Sequence, residues 1–233
     1  IKGEMAVVEK AHKLYEGIIK TMSKYDPSHM VYRAAAKDLA DLRGNFLSQL
    51  MLVRKISAVA KAPLVAEYII EAVESQGKVV FFAHHQDVLD LIESTLHKAG
   101  LKTVRIDGKV PTARRQELVD EFQNGDAQVF IGSIKACAEG ITLTAASTVM
   151  FGEMDWTPAK MVQCEDRCHR IGQKDTVNVV NLVIENSIDD FLSSILHNKN
   201  IVISKLLDEG DDQDAEYISY DLFDLFKHFG LSK

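Results

Sequence analysis

Continuous apolar runs alternate with amphipathic stretches along the chain from residue 63 onward. Runs of this kind are typical of strands that are buried on both faces, as in parallel sheets. They predict strands over residues 78–84, 103–106, 128–131, 148–151 and 176–184. The stretches between them have helical spacing and predict helices over residues 87–99, 111–122, 158–170 and, after a capping box of Ser187 and Asp190, 187–207. This alternation predicts an α/β fold with a doubly wound parallel sheet.

The beginning of the chain has a helical pattern instead. Helices are predicted over residues 4–22 and 28–60, where apolar positions recur at close to 3.6-residue spacing. Pro63 is expected to start a separate helix that Gly77 ends, because proline is favoured in the first turn and glycine just after the last. Residues 1–62 are therefore expected to form a helical N-terminal lead-in.

The end of the chain changes composition twice. Six carboxylates and no basic residue fall within residues 208–216, which predicts an acidic linker, with an autoinhibitory DNA mimic as the alternative. Residues 217–233 place apolar side chains on one face of a possible helix. This amphipathic tail is expected to pack on its own domain or on a neighbour, or to dock in a partner's groove. The α/β domain is thus placed at residues 63–207, with a C-terminal helical extension.

Composition narrows the class of protein. An apolar content of 46% can build a full core, and three cysteines fit a reducing compartment without disulfides. The formal net charge is −7, but without the six acids of residues 208–216 it would be −1, so a basic DNA-binding stripe is not excluded. No apolar run approaches a membrane span, and we expect an intracellular protein without membrane contact. Because the chain begins at Ile1, it is expected to be part of a longer protein.

Two cysteines and a histidine lie close together near the middle of the α/β domain. Cys164, Cys168 and His169 could suggest a metal site. No second group of ligands matches them elsewhere in the sequence, as a tetrahedral zinc site would need. We therefore expect no metal site in this chain.

Residues 163–173 carry the most informative group of polar side chains. If the segment is helical, Arg167 and Arg170 share one face, because residues three apart are neighbours there, and Gln163 adds an amide to that face. Paired guanidiniums suit phosphate, and a pair presented to a nucleoside triphosphate from a separate body acts as an arginine finger. On spacing alone, a surface helix with salt bridges to the acidic pair 165–166 is an equal alternative.

Polar, small or aromatic residues directly follow the predicted strands. In doubly wound sheets, ligands bind beyond the carboxyl ends of the strands. The positions concerned here are residues 84–85, 107–109, 132–135 and 152–156. We therefore expect a functional surface along this edge of the sheet.

Five sequence blocks together resemble the second RecA-like lobe of Swi/Snf-type ATPases of helicase superfamily two. The blocks are residues 79–85, 105–108, 133–146, 155–158 and 163–173. They lie in the family's order across residues 63–195, and the combination is highly specific. Phe-Ala-His-His within the first block and Ser-Ile-Lys-Ala at the start of the third look closest to the HepA-related annealing helicases. The resemblance implies a RecA-like fold for the α/β domain.

The resemblance also implies roles for single residues. Arg167 and Arg170 match arginines that reach a triphosphate bound on the first lobe, and Gln163 matches the polar residue that opens the same motif. Gly140 matches a glycine at which the backbone closely approaches the nucleotide or the lobe interface. The positions implied to face DNA are His84, Gly108, Lys109, Ser133, Lys135 and Trp156.

Several of these positions have plainer alternatives. Trp156 could be a core tryptophan, Lys135 a solvated lysine, and His84 a buried histidine at a strand end. The pair 107–108 is equally explained as a turn. Residues 137–138 are Cys-Ala where many relatives carry two glycines, so we expect a stiffer loop there.

The nucleotide-cradling half of such a motor is missing from this sequence. No Gly-x-x-x-x-Gly-Lys-[Ser/Thr] loop occurs in it, so ATP and Mg²⁺ are expected to be held mainly by a first RecA-like lobe elsewhere in the parent chain. The isolated fragment is expected to be inactive, whereas the parent is expected to be a DNA-dependent ATPase that translocates on double-stranded DNA. The expected location is the nucleus in a eukaryote, and otherwise the cytoplasm or nucleoid.

Two other classes of protein are the alternatives. One is a non-catalytic DNA- or protein-binding module built on the same lobe. The other is an unrelated doubly wound nucleotide enzyme, which predicts a glycine-rich loop after the first strand. Residues 84–86 are His-His-Gln at that place, which disfavours the second alternative.

Overall fold

The structure is a computed structural model that describes residues 2–137, 140–155, 157–194 and 227. Its helices are α1 (Lys2–Met22), α2 (Met30–Gln76), α3 (Gln86–Lys98), α4 (Thr112–Asn124), α5 (Ile134–Cys137) and α6 (Pro158–Glu165). Its strands are β1 (Val79–Ala83), β2 (Thr103–Ile106), β3 (Val129–Ser133), β4 (Thr148–Phe151) and β5 (Asn178–Asn181). Residues 188–194 are also helical. The acidic linker and the tail, apart from residue 227, lie outside the described residues.

The strands form a single parallel sheet within the described part of the chain. Their order is β2-β3-β1-β4-β5, so β1 lies in the centre. Val79 pairs with Val129 of β3 on one side and with Thr148 of β4 on the other. The predicted doubly wound α/β architecture is confirmed.

Each face of the sheet is covered by helices, as the continuous apolar strands predicted. Val79, Phe81 and Ala83 of β1 point into a core shared with α2 and α3. The alternate residues Val80 and Phe82 point into a second core on the opposite face, shared with α4, α5 and α6. Successive strand side chains point to opposite faces, so an all-apolar strand needs cover on both.

The long helix α2 continues through Pro63, so the prediction of a separate helix starting there is wrong. A proline inside a helix removes one hydrogen bond and crowds the preceding turn. Here the helix is held by packing, because Ala58, Ala62, Ala66 and Ile69 form one unbroken buried stripe against the sheet. The proposed boundary between residues 62 and 63 falls inside this helix, and the domain limits stay predictions.

A third core joins the lead-in to the end of the described chain. Val8 and Ala11 of α1 and Phe46 and Leu50 of α2 pack against the helical residues 188–194. Lys61 of α2 also forms a buried ion pair with Asp189. The predicted helical lead-in is therefore present, and it packs onto the α/β body.

The predicted elements differ from the structure mainly at their ends. β5 spans four residues where nine were predicted, and its side chains are mostly exposed because it is an edge strand. α5 is a short helix that no pattern predicted. The exposure of β5 arises from its position at the edge of the sheet, which a local hydrophobic pattern does not report.

Candidate functional site

A groove of about 650 Å³ lies at the carboxyl ends of β1, β2 and β3. The connection from β1 passes β3 to reach β2, whereas the connection from β3 passes β1 to reach β4. Connections that leave in opposite directions create a crevice at the carboxyl edge of the sheet. Five of the predicted site residues line it: His84, Gly108, Ser133, Lys135 and Gln163.

Four further residues line the groove that the sequence did not single out: Gln86, Arg115, Ala136 and Lys160. Arg115 joins α5 to the loop before α4, because its Nη1 donates to the Ala136 carbonyl at 3.1 Å and its Nε donates to the Val110 carbonyl at 3.3 Å. No sequence signal marked Arg115, since it follows Pro111 in an ordinary charged helix. The described lining contains three Lys or Arg side chains and no carboxylate, so it favours an anionic ligand.

The predicted residues on this rim differ in exposure. Lys135, Gly108 and Lys109 are exposed, whereas Ser133 is buried at 6% exposure at the end of β3. The backbone of Lys109 donates to Asp107 Oδ1 at 2.8 Å, which gives the turn expected at residues 107–108. Trp156 lies outside the described residues.

His84 is half-buried at the end of β1. Its Nδ1 is buried and has no hydrogen-bond partner among the described residues. Burial lowers the pKa of His84, and the positive charge of Arg54 acts in the same direction. The ring is therefore kept neutral near neutral pH, with one nitrogen uncommitted within the described fold.

Glu153 was not predicted, yet it organises the loop after β1. Its Oε2 accepts hydrogen bonds from the backbone N–H groups of His84 and His85 at 3.0 and 2.8 Å. Its Oε1 lies 2.5 Å from Nδ1 of His85. Burial acts to raise the pKa of Glu153, but the hydrogen bonds from His85 and the backbone outweigh it and hold the pKa below its ordinary value.

The predicted helix over residues 158–170 is too long, because α6 ends at Glu165. Tight turns follow, with the Arg167 N–H donating to the Cys164 carbonyl at 3.1 Å. The carbonyl of Arg167 accepts a hydrogen bond from the Leu143 N–H at 2.7 Å instead of from a later residue of the same helix. Arg167 and Arg170 therefore do not share a helix face.

The two arginines have different surroundings. Arg167 is buried, its Nε donates to the Gln163 carbonyl at 2.8 Å and its Nη1 lies 3.5 Å from the Ile141 carbonyl. Arg170 is exposed and its Nη1 donates to Thr142 Oγ1 at 3.1 Å. Neither forms an ion pair with a described residue, so the salt-bridged surface helix is not what the structure shows. Both contact the loop 141–143.

Gly140 begins this loop with a φ of +77°, a conformation that residues with side chains rarely adopt. A Cβ at Gly140 would meet no described atom within 4 Å. The glycine is therefore required by backbone conformation within the described fold. Its implied approach to nucleotide stays a prediction.

The cysteines near the arginines are part of the core. Cys164 and Cys168 are buried, and burial raises the pKa of each thiol to about 12. Across the described residues, no group of three or more His, Cys, Asp or Glu side chains is placed to hold a metal ion. In the same part of the chain, no helix is long and apolar enough to span a membrane.

Residues 60–172 match the sequence profile of the helicase conserved C-terminal domain. A Caenorhabditis elegans SWI/SNF-related matrix-associated actin-dependent regulator of chromatin subfamily A-like protein 1 homolog is 42% identical over 156 residues. That alignment covers 65% of this chain and 23% of the relative. The mouse DNA annealing helicase and endonuclease ZRANB3 is 38% identical over 155 residues, covering 66% of this chain and 14% of the relative.

A solved structure supports the same conclusion. The C-terminal part of the Fun30 ATPase domain matches with a TM-score of 0.51 and 32% identity, covering 59% of this chain and 43% of that one. The chain spans less than a quarter of the length of both curated relatives. The resemblance indicated by the sequence blocks is confirmed, and so is the RecA-like fold.

Proposed function

We propose that the chain is the second motor lobe of a DNA-dependent ATPase, because residues 60–172 match the helicase conserved C-terminal domain and the relatives are SWI/SNF-related. In this proposal the parent protein translocates on double-stranded DNA, for remodelling or for strand annealing. The relatives are named as a chromatin regulator and a DNA annealing helicase, which favours a DNA-associated, nuclear protein.

The observation that carries the proposal is the groove at the carboxyl edge of the sheet. Four residues implied to face DNA line it together: His84, Gly108, Ser133 and Lys135. The lining adds the side chains of Arg115 and Lys160 and has no carboxylate. Phosphate contacts dominate the affinity of proteins for duplex DNA, and they need cations placed along a groove of this kind.

The arginines after α6 serve the nucleotide in this proposal. A first RecA-like lobe would hold most of the ATP and Mg²⁺, and Mg²⁺ would supply charge neutralisation at the phosphates. Arg170 is exposed and not ion-paired with a described residue, so its guanidinium is available to a phosphate presented from another body. Arg167 is buried and contacts the main chain at Ile141. In this proposal it therefore supports the loop 141–143 in addition to contacting phosphate.

Closure of the two lobes links DNA and nucleotide. Gln163 lines the groove, and its carbonyl accepts the hydrogen bond from Arg167 Nε at 2.8 Å. The groove and the arginine turns are thus joined through one residue of α6. In this proposal, a shift of DNA in the groove reaches Arg167 through the main chain of Gln163.

Hydrolysis assays on two proteins test this function. The full-length protein that contains the chain is expected to hydrolyse ATP faster when duplex DNA is added, and the 233-residue chain alone is expected to hydrolyse none. The isolated chain is still expected to bind duplex DNA, with an affinity that falls as salt rises. Hydrolysis by the isolated chain, or a full-length enzyme indifferent to DNA, would contradict the proposal.

A further inference from the structure

The loop that leaves β4 is held at three consecutive residues. The Glu153 side chain accepts hydrogen bonds from the loop after β1. The Met154 carbonyl accepts a hydrogen bond from Arg54 of α2. Asp155 Oδ1 accepts a hydrogen bond from the Thr157 N–H at 3.0 Å. Connecting loops normally have few such contacts, because they run over the surface. We call residues 152–155 the β4 exit loop and residues 84–85 the β1 exit loop.

Glu153 joins the two exit loops directly. β1 and β4 are paired neighbours, so their exit loops lie side by side. The Glu153 side chain is fully buried, and its two oxygens together meet three donors of the β1 exit loop. A buried carboxylate is costly unless it is fully hydrogen-bonded, and three charge-assisted contacts make this one a rigid link.

Arg54 continues the link into the helical lead-in. It is 2% exposed, and burying a guanidinium is costly unless pairing offsets the loss of its hydration. Its Nη2 donates to the main chain of the β4 exit loop at Met154. Its charge also acts on the imidazole of His84, which lines the groove. The lead-in, the β4 exit loop and the β1 exit loop thus meet in one buried cluster.

We propose that Glu153 and Arg54 are positioning residues that hold the β1 exit loop against the β4 exit loop and so fix His84 in the groove for duplex DNA. This inference rests on the proposed function, because it assumes that the groove takes DNA. Neither side chain lines the groove, so each acts through the residues that do. A β1 exit loop held in place lowers the entropy lost when DNA binds, and a loosened one raises the DNA concentration needed for half-maximal hydrolysis.

The variants are chosen to separate positioning from folding. Glu153→Gln keeps an oxygen for the backbone N–H groups but removes the charge that faces His85. His85→Leu removes the same contact from the partly exposed side, and His85→Asn retains a donor close to the position of Nδ1. Arg54→Met removes the hydrogen bond to Met154. Lys55→Met is the matched control, because Lys55 is on the same helix and pairs with Asp87 at 2.6 Å on the surface.

The measurement is DNA-stimulated ATP hydrolysis by the full-length protein, with KM for duplex DNA separated from kcat. We expect KM for DNA to rise by about tenfold in Glu153→Gln, His85→Leu and Arg54→Met. A change of this size corresponds to the loss of one hydrogen bond to a charged group. Hydrolysis without DNA stays at the wild-type rate. His85→Asn and Lys55→Met are expected to remain close to wild type.

The outcomes separate this inference from the proposed function. A wild-type enzyme without DNA stimulation would refute the proposed function, and the inference with it. A stimulated wild type with unchanged KM for DNA in Glu153→Gln and His85→Leu would overturn the inference alone. Equal losses in His85→Asn and His85→Leu would also overturn it. If Glu153→Gln fails to fold, the two His85 variants still decide, because that ring is partly exposed.

Discussion

Arg167 and Arg170 lie three residues apart after α6, and the first belongs to the interior while the second belongs to the surface. Arg167 is 7% exposed and bonds to main-chain oxygens of Gln163 and Ile141. Arg170 is exposed and contacts only the hydroxyl of Thr142 among the described side chains. The two arginines are therefore expected to make different contributions to stability.

Arg167→Ala is expected to destabilise the chain, and Arg170→Ala is not. Removing Arg167 leaves the part-buried carbonyl of Gln163 and the buried carbonyl of Ile141 without this donor, which lowers the free energy of unfolding by about 1–3 kcal/mol. Arg170→Ala removes one exposed contact and is expected to change it by less than about 0.5 kcal/mol. Urea denaturation of the 233-residue chain measures both. Equal losses in the two variants would contradict the assignment of Arg167 to the interior.

The buried pair of Lys61 and Asp189 predicts a large loss when one partner is removed. Lys61 Nζ also donates to the Leu182 carbonyl at 2.7 Å. Lys61→Met therefore leaves both the Asp189 carboxylate and the Leu182 carbonyl without this donor. The free energy of unfolding is expected to fall by about 3–5 kcal/mol, and the double variant with Asp189→Leu is expected to recover part of it.

The exposed ion pair of Lys102 and Asp126 at 2.9 Å supplies the control for that measurement. Lys102→Met is expected to leave the urea midpoint unchanged, because exposed ion pairs contribute little. A Lys61→Met variant as stable as Lys102→Met would show that the buried pair does not hold α2 to the helical residues 188–194.

Gly132 in β3 leaves no room for a larger side chain against the neighbouring strand β1. A Cβ there would lie 2.5 Å from the ring of Phe82 on the neighbouring strand. Gly132→Ala is expected to lower the free energy of unfolding by about 1–3 kcal/mol through overpacking. Gly44→Ala on α2 meets open space and is expected to raise it by about 0.5–1 kcal/mol. Thermal or urea unfolding gives the signs, and the same sign for both would refute the packing argument.

The three cysteines are expected to be inert in the folded chain. Burial raises the pKa of Cys137 as well as those of Cys164 and Cys168. A raised thiol pKa keeps the reactive thiolate unpopulated through neutral and mildly alkaline pH in the folded state. Iodoacetamide at about pH 8 should label none of them in buffer and all of them in denaturant, as counted by mass spectrometry. Rapid labelling of the native chain would contradict this placement.

The centre of the sheet was predictable from the sequence because β1, β3 and β4 are buried on both faces. The apolar runs at β1, β3 and β4 carry that information locally, and the polar residues that follow them marked the groove. Four residues implied to face DNA do line it: His84, Gly108, Ser133 and Lys135. The local hydrophobic pattern was enough to predict those elements whose burial alone determines their structure.

The remaining features depend on contacts between distant parts of the chain. The end of α6 is set by Leu143, which takes the carbonyl of Arg167, and no pattern within residues 158–170 reports that bond. Glu153 and Arg54 act on partners 69 and 100 residues away. α2 continues through Pro63 because helix residues before and after the proline pack against the sheet. Such contacts are visible only once the fold has brought the segments together.

Turnover of the full-length protein with Arg170 replaced tests the central claim most directly. Arg170→Ala is expected to lower the DNA-stimulated kcat by about 10³-fold or more, because the charge on the transferred phosphoryl group loses its partner. Arg170→Lys is expected to restore little, since an ammonium lacks the planar fork. Duplex DNA binding is expected to be retained in both variants. Wild-type turnover in Arg170→Ala would contradict the account.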